Sequence, residues 1–181
     1  MSSAPTAAEL IRAFNFRVGL FRSERTIKVN AVPTSAARSD DYLGDGSFQE
    51  CTGLEVELDV QELQEGGRND GVIRCIGRAK YQPLVLKRGM LSPAQSTPPN
   101  QVSPTVELWQ WLQDVASGRN VRRYDGIVEV LDATGHKTVA TWTFVRGLPA
   151  KVSGPQLNAR TGEIAIEELH IAHEGLRLET Q

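Results

Sequence analysis

Apolar and polar residues alternate most regularly between Leu54 and Gln61. Leu54, Val56, Leu58 and Val60 fall on one side, and Glu55, Glu57, Asp59 and Gln61 on the other. A period of two marks a β-strand with one face packed and one face wet. Gly66 and Gly67 end the pattern, because glycine accepts the positive φ of a tight turn. The wet face is acidic, so it looks either onto bulk solvent or onto a space that water must fill.

The same alternation through Phe14, Phe16, Val18 and Leu20 predicts a first strand, preceded by a small, polar arm over residues 1–10. From 22 to 47 the pattern vanishes. A loop of that length is far beyond the usual ~4–6 residues and marks a functional or docking segment. After the acidic strand and its turn, Val72 to Ile76 is expected to return antiparallel, and Gln82 to Lys87 is a further extended piece. Residues 91–103 form a proline-rich linker. Ser103 as N-cap, Pro104 in the first helical position and Glu107 near the positive end of the dipole then predict a helix over 104–117. Its apolar stripe is read as Val106, Leu108, Trp109, Leu112 and Val115, with Gly118 as the stop. Tyr124 to Leu131, a turn at Asp132 to Gly135, and Thr138 to Val145 read as a meander hairpin. Pro149 and Pro155 bound a linker. Glu163 to Ile171 is the last strand, its alternation slipping at Glu167-Glu168 as at a β-bulge. Seven or eight strands and one helix in a single domain over 1–181 predict an antiparallel β-sandwich or barrel rather than a βαβ fold.

Charge sharpens the picture. Between Glu50 and Glu65 stand six acids and no base; between Arg68 and Arg88 stand six bases against one acid, Asp70. Opposite charges across paired strands are stabilising, so the blocks pair within one chain or between two copies, with Glu62, Glu65, Arg68 and Arg74 as the candidate pairing residues. The net charge of −2 speaks against non-specific nucleic-acid binding. Cys51 and Cys75 are too few for a disulfide scaffold and lack zinc-site spacing, so they read as reduced core residues. Neither a signal peptide nor a run approaching the ~20 apolar residues of a spanning helix is visible, and the chain is expected to fold in the cytoplasm.

Catalytic and metal chemistry is sought without success. His170 and His173 resemble ligands, but on a strand residues three apart point to opposite faces. Asp41 to Gly46 fails the calcium-loop template at Leu43 and Thr52. The chain contains no nucleophile elbow, P-loop or dinucleotide fingerprint. No cofactor is expected.

Several pieces in order resemble the bacteriophage tail-tube protein family, which includes the inner tubes of contractile injection systems. They are Phe14 to Val18, Phe48 to Leu54 with Glu65-Gly66-Gly67, Leu84 to Gly89, Leu108 to Trp111, and Trp142 to Phe144. Pro149 to Lys151, Ile164 to Leu169 and His173 to Leu176 complete the set. The resemblance implies β-sandwich subunits that form hexameric rings. Those rings stack into a hollow tube inside a contractile sheath, together with baseplate and tube-terminator proteins. It further implies DNA or protein cargo in the lumen, a virion or injection particle as the destination, no enzymatic activity and no sequence-specific nucleic-acid binding. In such a tube Glu55, Glu57, Asp59 and Gln61 are expected to line the bore, and Tyr42, Leu43 and Asp45 to contact a neighbouring ring. The alternatives are a tube-initiating baseplate protein of the same particle, a monomeric ligand-binding β-barrel, and a β-sandwich metallo-enzyme using the histidines.

Overall fold

The structure, a computed structural model, describes residues 14–23, 43, 48–64, 66–67, 71–90, 104–119, 121–160 and 162–179. Among these are nine strands and one helix: β1 (Phe16–Arg22), β2 (Glu50–Thr52), β3 (Val56–Leu63), β4 (Ile73–Tyr81), β5 (Leu84–Gly89), α1 (Pro104–Ala116), β6 (Tyr124–Leu131), β7 (Thr138–Ser153), β8 (Ile166–Ala172) and β9 (Gly175–Glu179). All pairings are antiparallel. Seven strands form one sheet in the order β1-β6-β7-β8-β5-β2, with β9 also on β7, while β3 and β4 stand apart as a two-stranded ribbon. The mainly β fold with a single helix agrees with the alternation in the sequence.

β7 is the spine. Its first half runs between β6 and β9, and its second half pairs with β8. The bend falls where Tyr124 faces Gly147 but Gly126 faces Phe144, so β7 carries an extra residue opposite Asp125. Arg146 takes a φ of 57° there, and Asp125 Oδ1 accepts its N–H at 2.7 Å. That bond supplies the partner a bulge otherwise removes from the ladder. Gly126 and Gly147 leave room for the Phe144 ring, since a Cβ on Gly126 would lie 2.1 Å from it.

The bend lets both halves of the sheet contribute to one core. Val18, Leu20, Tyr124, Val128 and Phe144 come from one half, Leu84, Leu86, Leu169 and Ile171 from the other, and Leu108 and Trp111 from α1. Trp111 donates its indole N–H to the Arg122 carbonyl at 2.9 Å and meets the Tyr124 ring edge-on at 4.8 Å. Cys51 packs against this core, and burial pushes its thiol up to about 12.

Four expectations need correction. The stripe of α1 is Thr105, Leu108, Trp111 and Val115, while Val106 is exposed. Pro149 lies inside β7 opposite Ile171, not in a linker; the ladder is irregular between Pro149 and Lys151, where a missing N–H is tolerated. β8 pairs with β5 without a slip at Glu167-Glu168: Glu167 simply occupies a core-facing position beside Leu169 and Ile171. Finally, β9 is a strand of only five residues, too short for its alternation to register.

Candidate assembly interface

The acidic strand of the sequence reading is β3, and with β4 it makes an amphipathic ribbon. Thr52 faces Val85 at the end of the β2–β5 pair, and Val56 faces Tyr81 at the start of the next, so one register runs through both pairs. Between them the chain crosses its own root at 53–55 and 82–83. Gly53 holds a φ of 87°, and a Cβ there would stand 2.1 Å from the Pro83 carbonyl oxygen. Only glycine lets the two crossings touch so closely.

Beyond the root, directly paired residues share a face. One face carries Val56 opposite Tyr81, Leu58 opposite Ala79 and Val60 opposite Ile76, then ends in Glu62 opposite Arg74. Its apolar side chains are open to solvent, with Val60 57% and Ile76 72% exposed. This corrects the expectation that Val56, Leu58 and Val60 pack on the chain's own core; of that series only Leu54 reaches it. The other face carries Glu57 opposite Lys80 and Gln61 opposite Cys75, with Asp59 set in a register shift. Lys80 Nζ reaches Asp59 Oδ1 at 3.7 Å, and Arg74 Nε reaches Glu62 Oε1 at 3.2 Å. The acidic and basic blocks therefore pair within the ribbon at these positions.

The other sequence-predicted residues are scattered. Glu55 lies in the root, its N–H donating to the Gly53 carbonyl at 2.8 Å. Leu43 donates its N–H to the Leu20 carbonyl at 3.0 Å and packs against the core of its own chain. Tyr42, Asp45, Glu65 and Arg68 lie outside the described residues.

A second surface escaped the sequence reading. Register puts Glu50 opposite Lys87 and Lys87 opposite Glu168, with Lys151 opposite His170 two residues along. Lys87 Nζ lies 2.9 Å from Glu50 Oε1, Lys151 Nζ lies 3.6 Å from Glu168 Oε1, and His170 Nε2 contacts the same Glu168 oxygen. The His170 contact, ahead of the lysines, holds the Glu168 carboxyl below the usual range. Alternating charge thus runs across four strands, and only the pairing order, invisible in a linear sequence, brings it together. His170 contacts Glu168 within β8, whereas His173 lies beyond that strand beside Tyr81 and Phe144, and among the described residues no group of three or more His, Cys, Asp or Glu could hold a metal ion. Among the same residues no helix is long and apolar enough to cross a membrane.

The family described as "T4-like virus tail tube protein gp19" matches residues 12–177. Comparison with curated protein sequences gives no match. Among solved structures, a chain of the anti-feeding prophage (AFP) baseplate, determined by cryo-EM with sixfold symmetrisation, superposes with a TM-score of 0.70 at 19% identity, covering 96% of this chain and 97% of that one. A chain of the extended sheath–tube complex of PVC, an extracellular contractile injection system, gives 0.69 at 16% identity, with 97% and 95% covered. A chain of the AFP tube-terminating cap gives 0.66 at 14% identity, with 99% and 97% covered. At these identities the likeness is one of fold.

Proposed function

Because the chain belongs to the family of T4-like virus tail tube proteins, it is a tube subunit, and we propose that copies of it close into hexameric rings that stack into a hollow conduit. The observation that carries this reading is the open apolar face of the β3–β4 ribbon. A two-stranded ribbon is marginal on its own, and contiguous apolar surface flanked by charge marks a protein contact. A neighbouring copy is the natural occupant in a protein that builds a tube, because a head-to-tail contact that closes generates a ring. Six subunits per ring is the number suggested by the symmetry applied to the AFP baseplate.

With Val56, Leu58, Val60 and Ile76 covered by a neighbour, the opposite face with Glu57, Asp59 and Gln61 stays wet, and in this reading it lines the bore. That face also carries Lys80, paired with Asp59, so the wall it offers to cargo, DNA or protein, is polar and hydrated with its charges largely balanced. The work is that of a conduit rather than of an enzyme, performed inside a sheath and between a baseplate and a terminator, in a virion or injection particle assembled in the cytoplasm. Electron microscopy of the purified full chain tests the proposal. Rings and stacked rings are expected; monomers persisting at high concentration overturn it.

A further inference from the structure

Beyond its root, the ribbon meets the body of the protein through an aromatic contact. The ring of His173, in the turn between β8 and β9, lies 5.5 Å from that of Tyr81, the last residue of β4, and 5.7 Å from that of Phe144 in the core. Both ring nitrogens are shielded from water and neither meets full hydrogen-bond geometry, their polar neighbours being the backbone of Gln82 and Gly175. Among the described residues, the groups around the ring offer no free counter-ion. From β4, Tyr81 presents a ring, and Lys80 is turned to Asp59 across the ribbon. From β7, Phe144 presents a second ring. The neighbouring acid, Glu174, is held by Arg123 at 2.7 Å and Arg146 at 2.6 Å. The backbone at Gln82 and Gly175 favours a proton on the imidazole, but burial outweighs it and holds the group below its ordinary range.

We propose that His173 is a proton-operated latch: the neutral ring holds the root of the β3–β4 ribbon against the core, and protonation expels it and releases Tyr81. An imidazolium in this slot would be a half-buried charge with the Gln82 and Gly175 backbone beside it but no free carboxylate to balance it, and the desolvation is costly. The sign follows from linkage. Above the ordinary histidine value of 6.5 the ring is neutral docked or free, and the latch is unaffected by pH. As pH falls below 6.5 the undocked ring takes up a proton first, so the docked arrangement loses stability progressively and is weakest once both forms are protonated. The aim of the ribbon then depends on pH. The latch acts within one chain, so it stands or falls independently of the tube reading.

Histidine C2–H deuterium exchange, read by mass spectrometry on the full chain, gives the protonation midpoint of His173 directly. A midpoint below about 6.5 is expected. In parallel, amide exchange of the peptide spanning Tyr81 and Gln82, corrected for intrinsic pH dependence, should rise as pH falls from about 7.5 to about 5. That rise should vanish in His173→Phe, which keeps an uncharged ring in the slot. If that variant folds poorly, His173→Gln serves as the uncharged control, and the wild-type midpoint stands by itself. A His173 midpoint at or above the ordinary value, or a pH-dependent rise that persists in the uncharged variants, overturns the latch.

Discussion

Arg88 Nε donates to Glu167 Oε1 at 2.5 Å, although the two side chains are only 3% and 2% exposed. Thr105 Oγ1 donates to the same oxygen at 3.2 Å, and the Phe48 ring lies 5.6 Å from the guanidinium carbon. The pair joins β5 to β8 and fixes the start of α1 above them. Removing one member strands the other charge in an apolar site. Glu167→Ala is expected to lower unfolding stability by about 3–5 kcal/mol, whereas the double replacement Arg88→Met with Glu167→Leu should recover most of the loss. Urea denaturation of the two variants and the parent measures both.

The bend in β7 makes a second expectation. Asp125 Oδ1 accepts from both the Arg146 N–H and the Ser23 hydroxyl. Asp125→Ala leaves the bulge amide unpaired and should cost about 1–3 kcal/mol, read as a shift in the denaturation midpoint at unchanged m-value.

At the root of the ribbon, Gly53→Ala meets a positive φ and a carbonyl oxygen 2.1 Å from the new Cβ. The left-handed conformation alone costs about 1–2 kcal/mol, and the clash must be relieved by moving the 82–83 crossing. Amide exchange confined to residues 50–56 and 81–87 should accelerate in this variant, with the rest of the sheet unchanged.

Val60→Asp and Ile76→Asp change side chains that are already solvated in the single chain. Subunit stability should move by no more than about 0.5 kcal/mol. Ring formation, followed by light scattering, should be lost in both. Wild-type assembly in either variant would remove the ribbon face from the interface.

Glu168 gives an acid-side dependence. Its carboxyl is held below the ordinary 4.5 chiefly by His170, so its contribution to stability is full above that value and disappears as pH falls through the lower folded value. The difference in Tm between wild type and Glu168→Gln should therefore be largest near neutral pH and close on acidification.

Where one face of a strand is buried and the other is not, the alternation of side chains announced it: β1, β6 and the first half of β7 were legible for that reason. Helix α1 was legible through its caps, but its buried stripe was misplaced by one position because Leu108-Trp109 and Trp111-Leu112 are apolar side by side and two neighbouring stripes fit the helical spacing. β3 shows a subtler failure. Its alternation correctly gave a strand, yet the apolar side is open to solvent in the single chain rather than packed on the chain's own core, and a linear pattern cannot say what covers a face. Glu167 misled in the opposite direction: a carboxylate in a core position reads as a break in the pattern until Arg88, distant in sequence, is seen beside it. The charge row of Glu50, Lys87, Glu168 and Lys151 depends wholly on strand order.

One strand belongs to both halves of the sheet, and this has a mechanical consequence. Load applied along β7 does not have to cross from layer to layer through side-chain contacts, which yield by sliding. It passes through consecutive peptide bonds, from Thr138 at one end to Ser153 at the other. Shearing the two layers apart would first require straightening the kink that the Asp125 carboxylate clasps at Arg146. The subunit is thereby built as a braced beam, stiff along β7 itself.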